Sequence, residues 1–204
     1  VKHERPALPG VSRETAERLE IYTDLLLRWN RTINLISRRD EDVVWQRHVG
    51  DSATLAAGLP AQAGTAIDLG SGGGLPGIVL SIVTGRHFHL VESDQRKCAF
   101  LREAARATAA PVSVHATRIE AASLPPAQIV TARALAPLEM LLAWAAPLLA
   151  DGGICLFPKG RSVDAELTQA ARRWHMVVER LASITDPGAT ILRISEISRV
   201  SDNP

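Results

Sequence analysis

An α/β fold, with a mostly parallel sheet and helices on both of its faces, is predicted by three features of the 204-residue chain. From Thr65 onward, short apolar runs alternate with segments of helix length. A glycine-rich turn follows the first of those runs. The connections between segments are short, and alternating β and α units with short loops build a parallel sheet covered on both sides.

Before Thr65 the chain reads as helical. SRETAERLEIYTDLLLRWNRTINL opens on Ser12, an N-cap type, and sets Leu19, Ile21, Tyr22, Leu25, Leu26 and Trp29 near one helical stripe. DEDVVWQRHVGDSATLAAGL reads as two further helical pieces split around Gly50. Then come strand TAIDL, a helix from Gly77, strand HFHLVE, helix QRKCAFLREAARAT and strands VSVHAT and AQIVTARA. Helix PLEMLLAWAAPLL, strand GGICLFPKG and helix DAELTQAARRW follow. MVVERLASI and ATILRISEI flank the turn signal TDPG and read as an antiparallel hairpin.

A formal net charge of +1 with 22% charged residues neither demands a polyanionic partner nor argues for disorder. Lys2, Lys97 and Lys159 are the only lysines. Arg forks suit phosphate and guanine contacts, although such usage also follows genome composition. Cys98 and Cys155 have no CxxC spacing, and a chain of this size needs no disulfide, so a reducing setting is expected. VKHERPALPGVSRETAERLE has no apolar leader, and the run APLEMLLAWAAPLLA is broken by Glu139 and two prolines, so no membrane span is expected. The histidines are scattered apart from His87 and His89 in one strand, and no metal is expected.

The glycine turn, AIDLGSGGGLPGIVL from Ala66 to Leu80, carries the first chemistry. Glycines let a ligand approach the backbone closely, and Pro76 suits a helix onset. Gly72 to Gly77 fits the dinucleotide pattern GxGxxG, which keeps a nicotinamide-dependent dehydrogenase open. Asp68 to Gly74 also fits DxGxGxG. A carboxylate at Asp68 repels a pyrophosphate but suits the ammonium end of S-adenosylmethionine. Glu92, at the end of the second strand, suits the ribose hydroxyls of either ligand. The structural alternatives are that Asp68 caps the turn and Glu92 caps the next helix.

Further blocks then appear in order: LLLRWNRTINLIS, RHVGDS, DLGSGGGLPGIVL, VESDQRKCAFL, ATRIE, VTARALAPL and FPKG. Together they closely resemble the RsmG family, also called GidB, the bacterial small-subunit ribosomal RNA guanine-N7 methyltransferases. The resemblance covers nearly the whole chain. It implies a Rossmann-like class I methyltransferase sheet, S-adenosylmethionine as donor, and a guanine of the 530 loop of 16S rRNA, guanine 527 in the RNA's numbering, as acceptor. Methylation of another RNA site and a non-catalytic ribosome-associated domain are the alternatives. The implied partner is 16S rRNA or the 30S subunit, with no membrane, a cytoplasmic location and a monomeric state expected. A helical extension over residues 1–62, packed over the cofactor cleft, is expected to precede a methyltransferase domain over 63–204.

By the same resemblance, Asp68, Gly70, Ser71, Gly72, Gly74, Leu75, Pro76 and Glu92 line the cofactor site, with Arg118, Ile119 and Glu120 beside the adenine. Arg133 and Lys159, at the ends of the fourth and fifth strands, are the expected catalytic and substrate-binding residues, and Arg133 also borders the cofactor. Asn34 and Asp51 are further substrate candidates, with helix capping as their structural reading. The chain departs from the family at Ile36, where Thr is familiar, and at Asp94 and Arg96, where a more basic pattern is familiar.

Guanine N7 has an in-plane lone pair and no proton, so methylation there needs alignment and no general base. Arg133 is expected to hold the guanine O6 or a phosphate, with a structural ion pair as the alternative. For Lys159 the alternative is a solvated loop lysine. Arg28, Arg31, Arg38, Arg39 and Arg47 form a candidate RNA-facing rim, interrupted by Asp40, Glu41 and Asp42. Trp29 and Trp45 are expected to pack in the interior.

Overall fold

In the computed structural model, which describes residues 5–61, 64–183 and 188–200, the Ser12 hydroxyl accepts a hydrogen bond from the Thr15 N–H at 3.2 Å and opens helix α1 (Arg13–Asn30). Leu19, Tyr22, Leu25 and Leu26 form its buried stripe. Ile21, expected on that stripe, is 46% exposed. Two positions past Leu19 is roughly 200° around a helix, which points Ile21 to the opposite side.

Residues 38–58 form an unbroken succession of helical turns. A 3₁₀ segment (Arg38–Val43) leads to a wide π turn (Trp45–Gly50), helix α2 (Asp51–Thr54) and a second 3₁₀ segment (Leu55–Gly58). The split expected at Gly50 is absent. Gly50 has φ −58° and ψ −52°, ordinary right-handed values, so the helix runs through it. Glycine permits a break but does not impose one. The π turn buries Trp45, His48 and Val49 together, and wide turns of this kind recur at functional sites.

The sheet has seven strands in the order β3-β2-β1-β4-β5-β7-β6. Strands β1 (Ala66–Leu69), β2 (Phe88–Glu92), β3 (Val112–Ala116), β4 (Ala127–Ala132) and β5 (Leu149–Lys159) run parallel. β7 (Thr190–Arg199) runs antiparallel between β5 and β6 (Trp174–Ala182). The C-terminal hairpin expected from the sequence is therefore present, although Thr185 to Pro187 of its turn signal lie outside the described residues. Chain order reverses where β1 meets β4, and open α/β sheets bind their ligands at such a switch point.

Two cores cover the sheet. On one face α1, α3 (Gly77–Thr84) and α4 (Gln95–Thr108) pack with Ala66, Phe88 and Leu90. On the other, α5 (Leu138–Ala145) and α6 (Val163–Ala170) pack with Ile67, Leu69 and Val91. Leu19, Tyr22, Val44, Trp45 and Val49 from the N-terminal segment belong to the same buried cluster as Ile78 and Phe100 from the sheet's own helices. Trp45 is buried, with its indole N–H donating to the Pro6 carbonyl at 2.9 Å, and Trp29 packs edge-on against Phe100. Among the described residues no helix is long and apolar enough to cross a membrane. No group of three or more His, Cys, Asp or Glu among them could hold a metal ion.

Candidate active site

The turn after β1 is shaped by glycines in left-handed conformation: Gly70 at φ 62°, Gly72 at 53° and Gly74 at 81°. A Cβ on Gly70 would collide with Leu135 Cδ1 at 2.5 Å, and one on Gly74 with Ile78 Cδ1 at 2.8 Å. Gly72 differs: its nearest neighbour would be the Gly70 carbonyl oxygen at 3.7 Å, so its surface faces open space. The Ser71 N–H bonds the Val91 carbonyl at 3.0 Å, and the Ser71 hydroxyl bonds the Asp68 carbonyl at 2.9 Å. The turn is thereby locked to the ends of both β1 and β2.

Glu92 joins the second strand to this turn. Its Oε2 accepts the Gly72 N–H at 2.9 Å, and its Oε1 accepts the Asp94 N–H at 2.9 Å. Glu92, Gly70, Ser71, Gly72 and Leu75 line a cavity of about 570 Å³, with Arg118, Ile119 and Glu120 along one wall and Arg133 on another. The sequence-predicted residues are thus largely gathered around one space, of a volume ordinary for a small-molecule site.

Six expected site residues do not line that cavity: Asp68, Gly74, Pro76, Asn34, Asp51 and Lys159. Asp68 is fully buried beneath the start of α3, because alternation along β1 turns its side chain toward that helix. Its Oδ1 accepts the Thr131 hydroxyl at 2.6 Å, while Oδ2 has no hydrogen-bond partner among the described residues. Burial raises this carboxyl to about 6, against the lowering effect of the Thr131 hydroxyl. Gly74 and Pro76 shape the turn and the helix onset from behind. Asn34 is exposed. Asp51 accepts the Ser183 hydroxyl at 3.2 Å, yet its charge still acts on Arg133. Lys159 is buried in an ion pair with Glu166 at 2.7 Å and is no solvated loop lysine.

Arg133 is mostly buried at the end of β4. Its Nη2 donates to His48 Nδ1, and its Nη1 is buried with no hydrogen-bond partner among the described residues. Burial lowers its pKa, with the nearby Asp51 carboxylate acting in the opposite direction. His48 Nε2 lies 3.3 Å from Asp40 Oδ2, off the line of a hydrogen bond. Burial, followed by the Arg133 charge, lowers the His48 imidazolium to about 4, so near neutral pH the ring is uncharged and accepts from Arg133. In that tautomer Nδ1 carries the lone pair and Nε2 the proton.

Sequence reasoning named Ile36 only as a departure from the family and Asp40 only as a break in the arginine rim, and it did not single out Leu35 or Ser37. Leu35, Ile36, Ser37 and Asp40 form the far lip of the cavity. Asn30 holds that lip, because its Oδ1 accepts the Leu35 and Ile36 N–H groups at 2.9 and 3.0 Å and its Nδ2 donates to Glu41 at 2.6 Å. The Tyr22 hydroxyl donates to the Gly73 carbonyl at 2.5 Å, tying α1 to the glycine turn. A buried Asn at a helix end, followed by a turn, is the one local signal that could have pointed to Asn30. The Tyr22 contact spans 51 residues and has no local signature. All five arginines of the candidate rim are exposed; Arg28 is paired with Glu103 at 3.1 Å and Arg47 with Asp40 at 3.4 Å.

A family model described as GidB, rRNA small subunit methyltransferase G, matches residues 15–191. The ribosomal RNA small subunit methyltransferase G of Granulibacter bethesdensis is 57% identical over 195 residues, covering 96% of this chain and 92% of its own. That of Gluconobacter oxydans is 58% identical over 190 residues, covering 93% and 98%. Among solved structures, magnesium protoporphyrin IX methyltransferase from Synechocystis PCC 6803 with bound SAM superposes with a TM-score of 0.60 at 15% identity, over 92% of this chain and 99% of that one. A ribosomal protein L11 methylase from Lactobacillus delbrueckii subsp. bulgaricus gives 0.59 at 15% identity, over 73% and 78%. At such identities these two likenesses show the fold alone.

Proposed function

From the premise that this chain belongs to the GidB family, rRNA small subunit methyltransferase G, we propose that it methylates N7 of a guanine in the 530 loop of 16S rRNA, using S-adenosylmethionine as donor. One observation carries the reading: a single cavity is lined both by a nucleoside-type wall, Gly72 with Glu92, and by the guanidinium-bearing Arg133. The substrate is 16S rRNA or the 30S subunit, and the protein acts as a monomer in the cytoplasm.

The cavity's donor set fits the proposed cofactor. Gly72 leaves room for close backbone approach, Glu92 keeps carboxylate lone pairs for ribose hydroxyls beyond its two backbone bonds, and Ile119 offers an apolar surface between Arg118 and Glu120 for a purine. When bound, S-adenosylmethionine supplies an electrophilic methyl on a sulfonium, and its transfer to N7 leaves no proton to remove. The chain's own residues therefore orient and exclude water. The Gly70–Gly74 turn and Glu92 fix the donor end. Arg133, docked by Nη2 onto neutral His48 and lining the cavity, is the residue that holds the guanine O6 or an adjacent phosphate. Leu35 and Ile36, carried on the N-terminal segment over residues 1–62, narrow the mouth. Asp68 supports the donor site from behind the turn.

The test is to incubate 30S subunits with the protein and labelled donor and to map the methylated nucleotide, alongside Arg133→Ala and Arg133→Lys. Label is expected on N7 of one guanine of the 530 loop. Arg133→Ala should slow single-turnover transfer by about 100-fold, the scale of losing alignment at a reacting centre. Arg133→Lys should rescue poorly, since a point charge does not reproduce a planar fork. Label on an exocyclic amine or ribose hydroxyl would replace this reading with one that requires a general base.

A further inference from the structure

We propose that Lys159 and Glu166 are the positioning pair of the segment that carries Arg133, acting through its backbone and touching neither donor nor acceptor. The inference rests on the reading of Arg133 given above.

Between the end of β4 at Ala132 and the start of α5 at Leu138 the chain has neither helix nor strand. Such a segment needs other partners to hold one conformation. Its Ala134 sits at φ 49°, in the left-handed region that L-residues rarely adopt and that persists only when the surroundings enforce it. Leu135 lies over the glycine turn, with Cδ1 2.5 Å from where a Cβ on Gly70 would be. This one stretch therefore touches the donor turn through Leu135 and presents Arg133 to the acceptor space. A small shift of it moves the two halves of the site relative to each other.

The Lys159–Glu166 pair grips that stretch at two points. Lys159 Nζ donates to the Ala136 carbonyl at 2.9 Å and to Glu166 Oε2 at 2.7 Å. The same Oε2 accepts the Leu138 N–H at 2.8 Å, and Oε1 accepts the Ser162 hydroxyl at 2.8 Å. The Leu138 N–H is among the orphan donors at the start of α5, where Pro137 has no side chain able to cap it. Glu166, from α6, supplies the missing acceptor. Lys159, the last residue of β5, neutralises the carboxylate that does so and takes the neighbouring carbonyl as well. A buried ion pair is weak grounds for stability by itself. Here each partner also bonds the backbone of the Arg133 segment, Lys159 at the Ala136 carbonyl and Glu166 at the Leu138 N–H, which is a positional function.

The test compares Lys159→Met, Glu166→Gln, Arg133→Ala and the Arg133→Ala/Lys159→Met double variant. Three quantities are read: the single-turnover rate with 30S subunits at saturating donor, the Kd for S-adenosylhomocysteine, and the thermal midpoint. Lys159→Met should slow the chemical step by about 10- to 100-fold, as misplacement near a reacting centre does, while the Kd changes less than about threefold. The double variant should be no slower than Arg133→Ala alone, because the pair acts through Arg133. Glu166→Gln, which keeps an acceptor for the Leu138 N–H, should fall between wild type and Lys159→Met. It also provides the rate comparison should Lys159→Met fail to fold. A normal rate in folded Lys159→Met or in Glu166→Gln overturns the inference. So do independent, multiplicative losses in the double variant, or a loss of donor affinity as large as the loss of rate. A normal rate in Arg133→Ala overturns the underlying reading of Arg133 instead, and is distinguishable by that variant alone.

Discussion

Glu92 holds the glycine turn and, in the proposed reading, serves the donor ribose as well. Its two oxygens hold the Gly72 and Asp94 N–H groups, so replacement by Gln turns an amide NH₂ against one of two backbone donors and also removes the charge. Charged hydrogen bonds contribute roughly 1.5–3 kcal/mol, so Glu92→Gln should weaken S-adenosylhomocysteine binding by about one to two orders of magnitude in titration calorimetry. A defect confined to RNA binding would move Glu92 off the donor wall. Asp68 behaves differently. Its carboxyl, raised to about 6 from 3.8, holds a proton in the folded state that the unfolded chain has already released, so raising the pH from about 4 to 6 removes stability. His48, lowered to about 4 from 6.5, does the reverse, and raising the pH over that range adds stability. The two slopes oppose each other in the native protein. Asp68→Asn deletes only the first, so its urea midpoint should climb more steeply than wild type between about pH 4 and 6. Parallel curves would show that Asp68 does not titrate in that window. That Glu92 and Asp68 stand near the ends of strands was legible in the sequence. Their different orientations were not, because they depend on which face of the sheet α3 covers.

At the scale of elements, α1 is the part whose sequence concealed most. Its cap at Ser12 and its apolar stripe are local and were readable, but its bond from Tyr22 to the Gly73 carbonyl joins it to the donor turn across the fold. Tyr22→Phe leaves that carbonyl buried without its donor, a loss of about 1–3 kcal/mol. The variant should therefore unfold at lower urea and also bind S-adenosylhomocysteine several-fold more weakly, since Gly73 sits between two of the left-handed glycines. Lower stability with unchanged donor affinity would disconnect α1 from the site. The strands and the longer helices were legible for the same reason as the α1 stripe: periodicity is a property of neighbouring residues. Gly50 was misread because a glycine's freedom is visible in sequence and its actual conformation is not. The π turn that carries His48, and the Lys159–Glu166 pair spanning β5 and α6, depend on tertiary packing and left no local pattern.

For the molecule as a whole, the shared core is the feature with the most direct consequence. Trp29 and Trp45 lie in the N-terminal segment, and Trp144 and Trp174 lie among the later elements, yet one buried cluster unites that segment with the sheet. Single-tryptophan variants reporting from either part should give coincident urea transitions, as a cooperative unit requires. Separated midpoints would make residues 1–62 an independently melting layer. The strand order carries a different kind of consequence, one of timing. β7 comes last along the chain yet lies between β5 and β6. During vectorial synthesis at about 5–20 residues per second, the stretch from Lys159 to Arg199 takes about 2 to 8 seconds to emerge. For that interval β5 has an open edge, while the glycine turn and Arg133 have already been made. The nascent chain thus holds the parts of its donor pocket before it can close its sheet, and an unpaired edge strand is a template for misassociation. Ribosome-bound chains stalled short of β7 should accordingly engage holdase chaperones through β5, and release them once the last strand is threaded home.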